Sequence, residues 1–242
     1  MRITILFIIL SLVAEIVGTV GGFGSSVFFV PIANMYFDFK TVLGITALFH
    51  LASNGSKIAL FRKGLDKRLM LYMGIPAVAF VIVGGVLSKF APPRIAEICL
   101  GIFLIVLSLV FIIWPKLKIK DGNPEAITGG VLSGFLAGFL GTGGAVRGLT
   151  MAAFNLEKSV FIATSAMIDM GVDLSRSVVY FFNGYITKDM LIPALILVGV
   201  GFTGTWLGKK ILEHISQEKF RMTSLILILI IGMITLYGYK MS

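Results

Sequence analysis

Apolar residues run through this chain in eight stretches, at about 3–36, 41–61, 69–88, 95–114, 126–154, 159–182, 189–208 and 222–239, separated by short polar segments. An α-helix rises 1.5 Å per residue, so about 20 apolar residues cross the roughly 30 Å of hydrocarbon in a bilayer. Stretches such as 95–114 have that length. The first and fifth, with 34 and 29 residues, are too long for one ordinary span and short for two spans with a turn. Each carries glycines near its middle: Gly18-Thr-Val-Gly21-Gly22-Phe23-Gly24-Ser25-Ser26 in the first, and Gly138-Phe-Leu-Gly141-Thr142-Gly143-Gly144 in the fifth. Glycine weakens a helix because its backbone is the least restrained. The N–H and C=O groups it frees are tolerated at membrane depth only when buried in protein or facing a polar cavity. Each long stretch is therefore expected to be a hairpin of two short helices broken at the glycines, with a single kinked and tilted helix as the alternative. Close helix packing is the plainer explanation of these glycines, and it accounts for single small residues better than for a doubled cluster.

The two halves align as an internal repeat, 1–120 and 121–242. Gly18, Gly21 and Gly24 match Gly138, Gly141 and Gly144 at an offset of 120. Lys40-Thr41-Val42 matches Lys158-Ser159-Val160 at 118, as Thr46 matches Thr164, and Gly64 matches Gly184 at 120. The joint lies near 116–123, before a Pro124 that suits a helix start. The expected fold is all-α and polytopic, each repeat a Gly-broken hairpin plus three transmembrane helices. If the hairpins do not cross, each half has an odd number of full crossings and the halves face opposite ways. Twelve loop Lys and Arg then fall on the cytoplasmic side and six outside, whereas single crossings would give ten and eight. The positive-inside tendency prefers the inverted arrangement, with both termini external.

Composition agrees: 57% of residues are hydrophobic, 14% are charged, and the mean hydropathy is +0.98. That is more apolar surface than a soluble domain of 242 residues can bury. The first stretch has one basic residue before it and Glu15 within it, with no polar chain following, so it is expected to remain in the protein as no signal peptide would. The single cysteine, Cys99, rules out an intrachain disulfide and a cysteine metal cluster. The net charge of +9 sits mostly in short loops, where membrane orientation explains it without a nucleic-acid partner. The expected partners are a small anion and the lipid bilayer, with a homo-oligomer left open. No cofactor, metal site or phosphate-binding loop is expected.

Charges inside spans are costly, so they should face protein or water. Thr46, His50, Ser53, Asn54 and Lys57 share one face of the helix beginning at Thr41, and Thr164, Ser165, Asp169, Asp173 and Arg176 share one face of its counterpart. Exposed N–H groups at a helix start hold oxyanions. The expected anion site therefore combines Gly21, Gly22, Gly24, Gly141, Gly143 and Gly144 with the hydroxyls of Ser25, Ser26, Thr46, Thr142, Thr164 and Ser165. Asn54, Lys57, Arg147 and Arg176 complete it. Glu15, His50, Asp169 and Asp173 are candidate proton carriers, since two carboxylates and one cation leave a surplus negative charge on the second helix. The plainer alternatives are that Asp173 and Arg176 neutralise each other, that Lys57 snorkels to the surface near Arg62, and that His50 is core.

The two glycine segments, with Pro31 after the first and Thr164-Ser165 in the next helix of the second, resemble the paired signatures of the sulfite exporter TauE/SafE family, over about 12–237. The resemblance implies transport of a small sulfur-containing anion such as sulfite, thiosulfate or an organosulfonate across a prokaryotic cytoplasmic membrane. The chain departs from the family's pattern at Phe23, at Met151 in the place of Pro31, and at Arg147. A passive anion channel and a carrier of a non-sulfur carboxylate use the same features. An intramembrane hydrolase built on Ser25 or Ser26 with His50 lacks the strained nucleophile turn it would need, so the chain is not expected to be an enzyme.

Overall fold

The structure, a computed structural model, describes residues 4–21, 24–61, 64–114, 120–154, 156–212, 214 and 217–238. Gly22, Phe23 and the basic residues Arg2, Arg62, Lys63, Lys116, Lys118 and Lys240 lie outside them, as does part of the expected joint. The described residues form ten helices and no strand: α1 (Ile5–Gly21), α2 (Ser26–Asn34), α3 (Phe39–Leu60), α4 (Lys67–Ser88), α5 (Pro93–Ile113), α6 (Asn123–Leu140), α7 (Gly144–Ala152), α8 (Lys158–Phe182), α9 (Leu191–Leu212) and α10 (Gln217–Gly238). Within α4 the stretch Met70–Gly74 is wound as a π-helix, and a 3₁₀ turn, Lys188–Met190, leads into α9.

Local chemistry sets the ends. Asp38 caps α3 by accepting from Thr41 N at 3.1 Å, and Asp66 caps α4 by accepting from Leu69 N at 2.9 Å. α6 ends at Gly141, whose φ of +79° only glycine adopts cheaply, and Gly24 has the same conformation, φ +77°, just before α2.

Both long stretches are hairpins. A Cβ on Gly143 would lie 2.8 Å from the carbonyl carbon of Ser133, and one on Gly129 would lie 2.8 Å from Cβ of Thr150. In one continuous helix residues 129 and 150 would stand about 31 Å apart, so α7 has turned back along α6. At the first break, a Cβ on Gly18 would lie 2.8 Å from the carbonyl carbon of Gly24 and against the backbone of Ser25, which brings α2 back along α1. The kinked single helix is excluded at both places.

The hairpins pack crosswise. α6 runs along α4, and α1 along α9, while α3 lies against α8 and α5 against α10. Close packing explains some of the glycines. Gly130, Gly134 and Gly138, four residues apart, sit on the carbonyls of Met73, Ala77 and Val81 of α4, where no side chain fits. Gly138 thus belongs to this stripe and not to the break. Among the described residues three helices are long and apolar enough to cross a membrane, Lys67–Ser88, Pro93–Ile113 and Lys188–Leu212. They carry exposed apolar side chains on their outer faces, including Ile75, Ile102 and Ile192. The polar stripes of α3 and α8 face inward.

Candidate functional site

The two breaks meet in the interior. A Cβ on Gly24 would lie 3.6 Å from Cα of Gly144, and Thr142 Oγ1 donates to Ser26 Oγ at 3.2 Å across the junction. Beside this junction lies a small, partly open polar cavity, with room for about one water-sized molecule. Gly24, Ser25 and Ser26 line it from the first break, and Gly141, Gly143, Gly144 and Ala137 from the second hairpin. His50, Asn54 and Lys57 of α3 and Asp169, Val172, Asp173 and Arg176 of α8 complete the wall. The glycines matter here because each removes a side chain from a wall that must stay thin.

The polar stripes of α3 and α8 engage each other: Asn54 Nδ2 donates to Asp173 Oδ2 at 2.6 Å. Arg176, 2% exposed, bridges the elements. Its Nη2 pairs with Asp173 Oδ1 at 2.6 Å, and its Nη1 donates to the carbonyls of Gly141 at 2.9 Å and Ala137 at 3.2 Å. These bonds hold the end of α6, whose carbonyls have no partner within the helix. Nη2 also donates to His50 Nδ1 at 3.2 Å. A guanidinium cannot accept, so Nδ1 holds the lone pair and the Nε2–H of a neutral ring donates to Ser25 Oγ at 3.1 Å.

Arg147 reaches from α7 to α8, where its two terminal nitrogens grip both oxygens of Asp169 and its Nε donates to Ser165 Oγ at 3.0 Å. Lys57 Nζ lies 2.8 Å from Glu15 Oε1 on α1. Three carboxylates therefore meet three cations, and with His50 neutral this buried set carries no net charge. The surplus negative charge expected on α8 is removed by Arg147, a residue of another helix. Lys57 does not snorkel outward: it is 7% exposed and turned to Glu15.

A model of the family described as sulfite exporter TauE/SafE matches residues 7–235, which include nearly all of both hairpins and every residue of this cluster. The chain belongs to the sulfite exporter TauE/SafE family. A probable membrane transporter protein of Methanocaldococcus jannaschii is similar to it, with 28% identity over 89% of this chain and 89% of that protein. This TauE/SafE protein is accordingly a multi-pass membrane protein of a transporter family.

Within the TauE/SafE chain most of the residues singled out from sequence line the cavity or stand next to its lining. Gly24, Ser25, Ser26, Asn54, Lys57, Gly141, Gly143, Gly144 and Arg176 line the cavity, as do His50, Asp169 and Asp173. Thr142, Arg147 and Glu15 are partners of lining residues, and Ser165 in turn is a partner of Arg147. Gly21 closes α1 outside the lining, and Gly22 lies outside the described residues. Thr46 and Thr164 serve the backbone. Thr46 Oγ1 donates to Val42 O at 2.6 Å, and Thr164 Oγ1 accepts from Asp66 N at 2.9 Å, holding the start of α4. Sequence reasoning missed Thr19, Thr205 and Tyr180. The Tyr180 hydroxyl donates to Gly138 O at 2.6 Å and so ties α8 to the second hairpin. Its place one turn beyond Arg176 on the polar face of α8 was the available signal.

Proposed function

We propose that this protein is a secondary transporter that moves a small sulfur-containing anion (sulfite, thiosulfate or an organosulfonate) across the cytoplasmic membrane of a prokaryote, with the anion held between the two glycine breaks. The observation that carries this reading is the cavity where both broken elements meet, walled by backbone of the breaks and by side chains of three buried ion pairs. Asp169 already occupies the fork of Arg147 as an oxyanion would, two oxygens against two N–H groups. A substrate with two or three oxygens on one centre can take that place. The displaced Asp169 then stands unpaired in the interior, and a proton neutralises it. Proton-coupled entry follows, with Asp169 as the first carrier and Asp173 beside it. His50, whose Nδ1 accepts from Arg176, orients that arginine.

The reading extends to architecture. Residues 1–120 and 121–242 form two repeats of inverted topology, related by a pseudo-two-fold axis. Supporting it, the helix orders correspond, and α1 packs on α9 as α6 packs on α4, so each half's hairpin lies on the other half's helix. α3 on α8 and α5 on α10 are self-paired contacts, as such an axis requires. Rocking of one repeat against the other would open the cavity to alternate sides.

The test is uptake of radiolabelled sulfite, thiosulfate and sulfate into proteoliposomes, with and without an imposed pH gradient. Accumulation of one of the sulfur oxyanions that responds to the gradient is expected. Currents far above carrier turnover would replace the carrier with a channel, and uptake of carboxylates alone would move the substrate class.

A further inference from the structure

Behind the cavity wall Glu15 is fully buried, and its Oε1 is the focus of four donors. Lys57 Nζ lies at 2.8 Å, Ser53 Oγ at 2.6 Å, Thr205 Oγ1 at 3.0 Å and Thr19 Oγ1 at 3.1 Å. Lys57 Nζ also donates to Ser53 Oγ at 2.8 Å. Three helices converge on this point: α1 supplies Glu15 and Thr19, α3 supplies Ser53 and Lys57, and α9 supplies Thr205. α9 approaches closely enough because Gly204 and Gly208 present no side chain to Glu15 and Thr19, where a Cβ would lie 2.7 and 2.9 Å from theirs. The second oxygen of Glu15, Oε2, is buried without a hydrogen-bond partner.

This arrangement contains more acceptor capacity than one ammonium uses. An ammonium has three N–H donors, and the surrounding oxygens are two of a carboxylate and three of hydroxyls. A carboxylate oxygen left bare in the interior of an apolar protein costs free energy unless something positive approaches it. Hard monovalent and divalent cations take oxygen ligands of this type, and a single carboxylate among neutral oxygens suits a single positive charge. Among the described residues no three His, Cys, Asp or Glu side chains gather as a transition-metal centre would need.

We infer that the oxygen cage of Glu15, Thr19, Ser53 and Thr205 is a sodium site, filled by the Lys57 ammonium when the cavity is empty and by Na⁺ when Lys57 turns to the transported anion. Lys57 is suited to the exchange because it lines the cavity and also reaches the cage. Its four-carbon stem turns without moving α3. An anion in the cavity attracts the ammonium. The departing ammonium leaves Glu15 as a buried, uncompensated carboxylate, and Na⁺ restores neutrality. Anion binding and sodium binding then favour each other, and reciprocally so. The inference rests on the anion reading only for what draws Lys57 away.

The test is binding of radioactive Na⁺ to the purified full-length protein, with K⁺ or choline replacing Na⁺ at constant ionic strength. Lys57→Met is expected to bind Na⁺ saturably with no anion present, while the unaltered protein binds it only when sulfite or thiosulfate is added. Thr205→Val, which removes one ligand oxygen at nearly constant shape, raises the half-saturating Na⁺ by about tenfold, and Thr205→Ser restores it. Absence of saturable Na⁺ binding both to Lys57→Met and to the unaltered protein with anion overturns the inference, as does binding indifferent to Thr205→Val. Anion uptake that needs no Na⁺ would overturn the sodium site and leave the anion reading standing. Na⁺ binding to Lys57→Met while the unaltered protein takes up no anion would do the reverse.

Discussion

Removing either partner of the Arg147–Asp169 pair should cost far more than removing both. Arg147 is 3% and Asp169 20% exposed at the side chain. Stripping one partner from a buried pair leaves an uncompensated charge and costs about 3–5 kcal/mol, whereas replacing both with apolar side chains of similar volume is often neutral. The two single changes are not equivalent. Asp169→Leu leaves the nearly inaccessible Arg147 guanidinium with only the Ser165 hydroxyl, and should reach the full cost. Arg147→Met leaves a carboxylate that water partly reaches, and should cost less, about 2–3 kcal/mol. Arg147→Met with Asp169→Leu should return to within about 1 kcal/mol of the unaltered protein, so the coupling energy is about 4 kcal/mol or more. Reversible unfolding of the purified protein in mixed micelles, followed by helical circular dichroism for all four proteins, measures the cycle. Single changes that add, with coupling below about 0.5 kcal/mol, would refute the pairing and with it the charge balance of the cavity.

Gly143→Ala drives a Cβ into the backbone of Ser133, which cannot move aside, and should cost about 3 kcal/mol with loss of transport. Gly199→Ala, which meets nothing, should stay within about 0.5 kcal/mol in the same unfolding assay. Asn54→Asp replaces a donor 2.6 Å from Asp173 with a second carboxylate, and anion uptake at neutral pH should fall by about tenfold or more. Thr164→Val should lower stability by about 1–2 kcal/mol, because the Asp66 N–H loses its acceptor, while the anion concentration for half-maximal uptake stays unchanged.

The apolar stretches located the helices because membrane depth demands length and hydrophobicity, both of which are written locally. The hairpins were legible for the same reason, since 34 residues at 3–36 fit neither one span nor two. The polar faces of α3 and α8 were legible from helical spacing. What the spacing does not carry is which face meets which. Arg147 and Asp169 are 22 positions apart, Glu15 and Thr205 are 190 apart, and no periodicity connects them. Thr46 and Thr164 misled in another way: Thr46 satisfies its hydroxyl on the carbonyl one turn back, as helical threonines often do, while Thr164 serves the N–H of Asp66, 98 positions away, and the sequence looks the same whether such a hydroxyl faces a cavity or backbone. Gly138 likewise matched the break in composition and belongs to the packing stripe on α4.

The most direct measurement is a structure of the purified protein determined with the transported oxyanion bound. The account predicts density for the anion between Gly24 and Gly144, within reach of Arg147 and Arg176, with Asp169 moved off the Arg147 fork. Anion density elsewhere, with the Arg147–Asp169 pair intact and the two breaks still in contact, would contradict it.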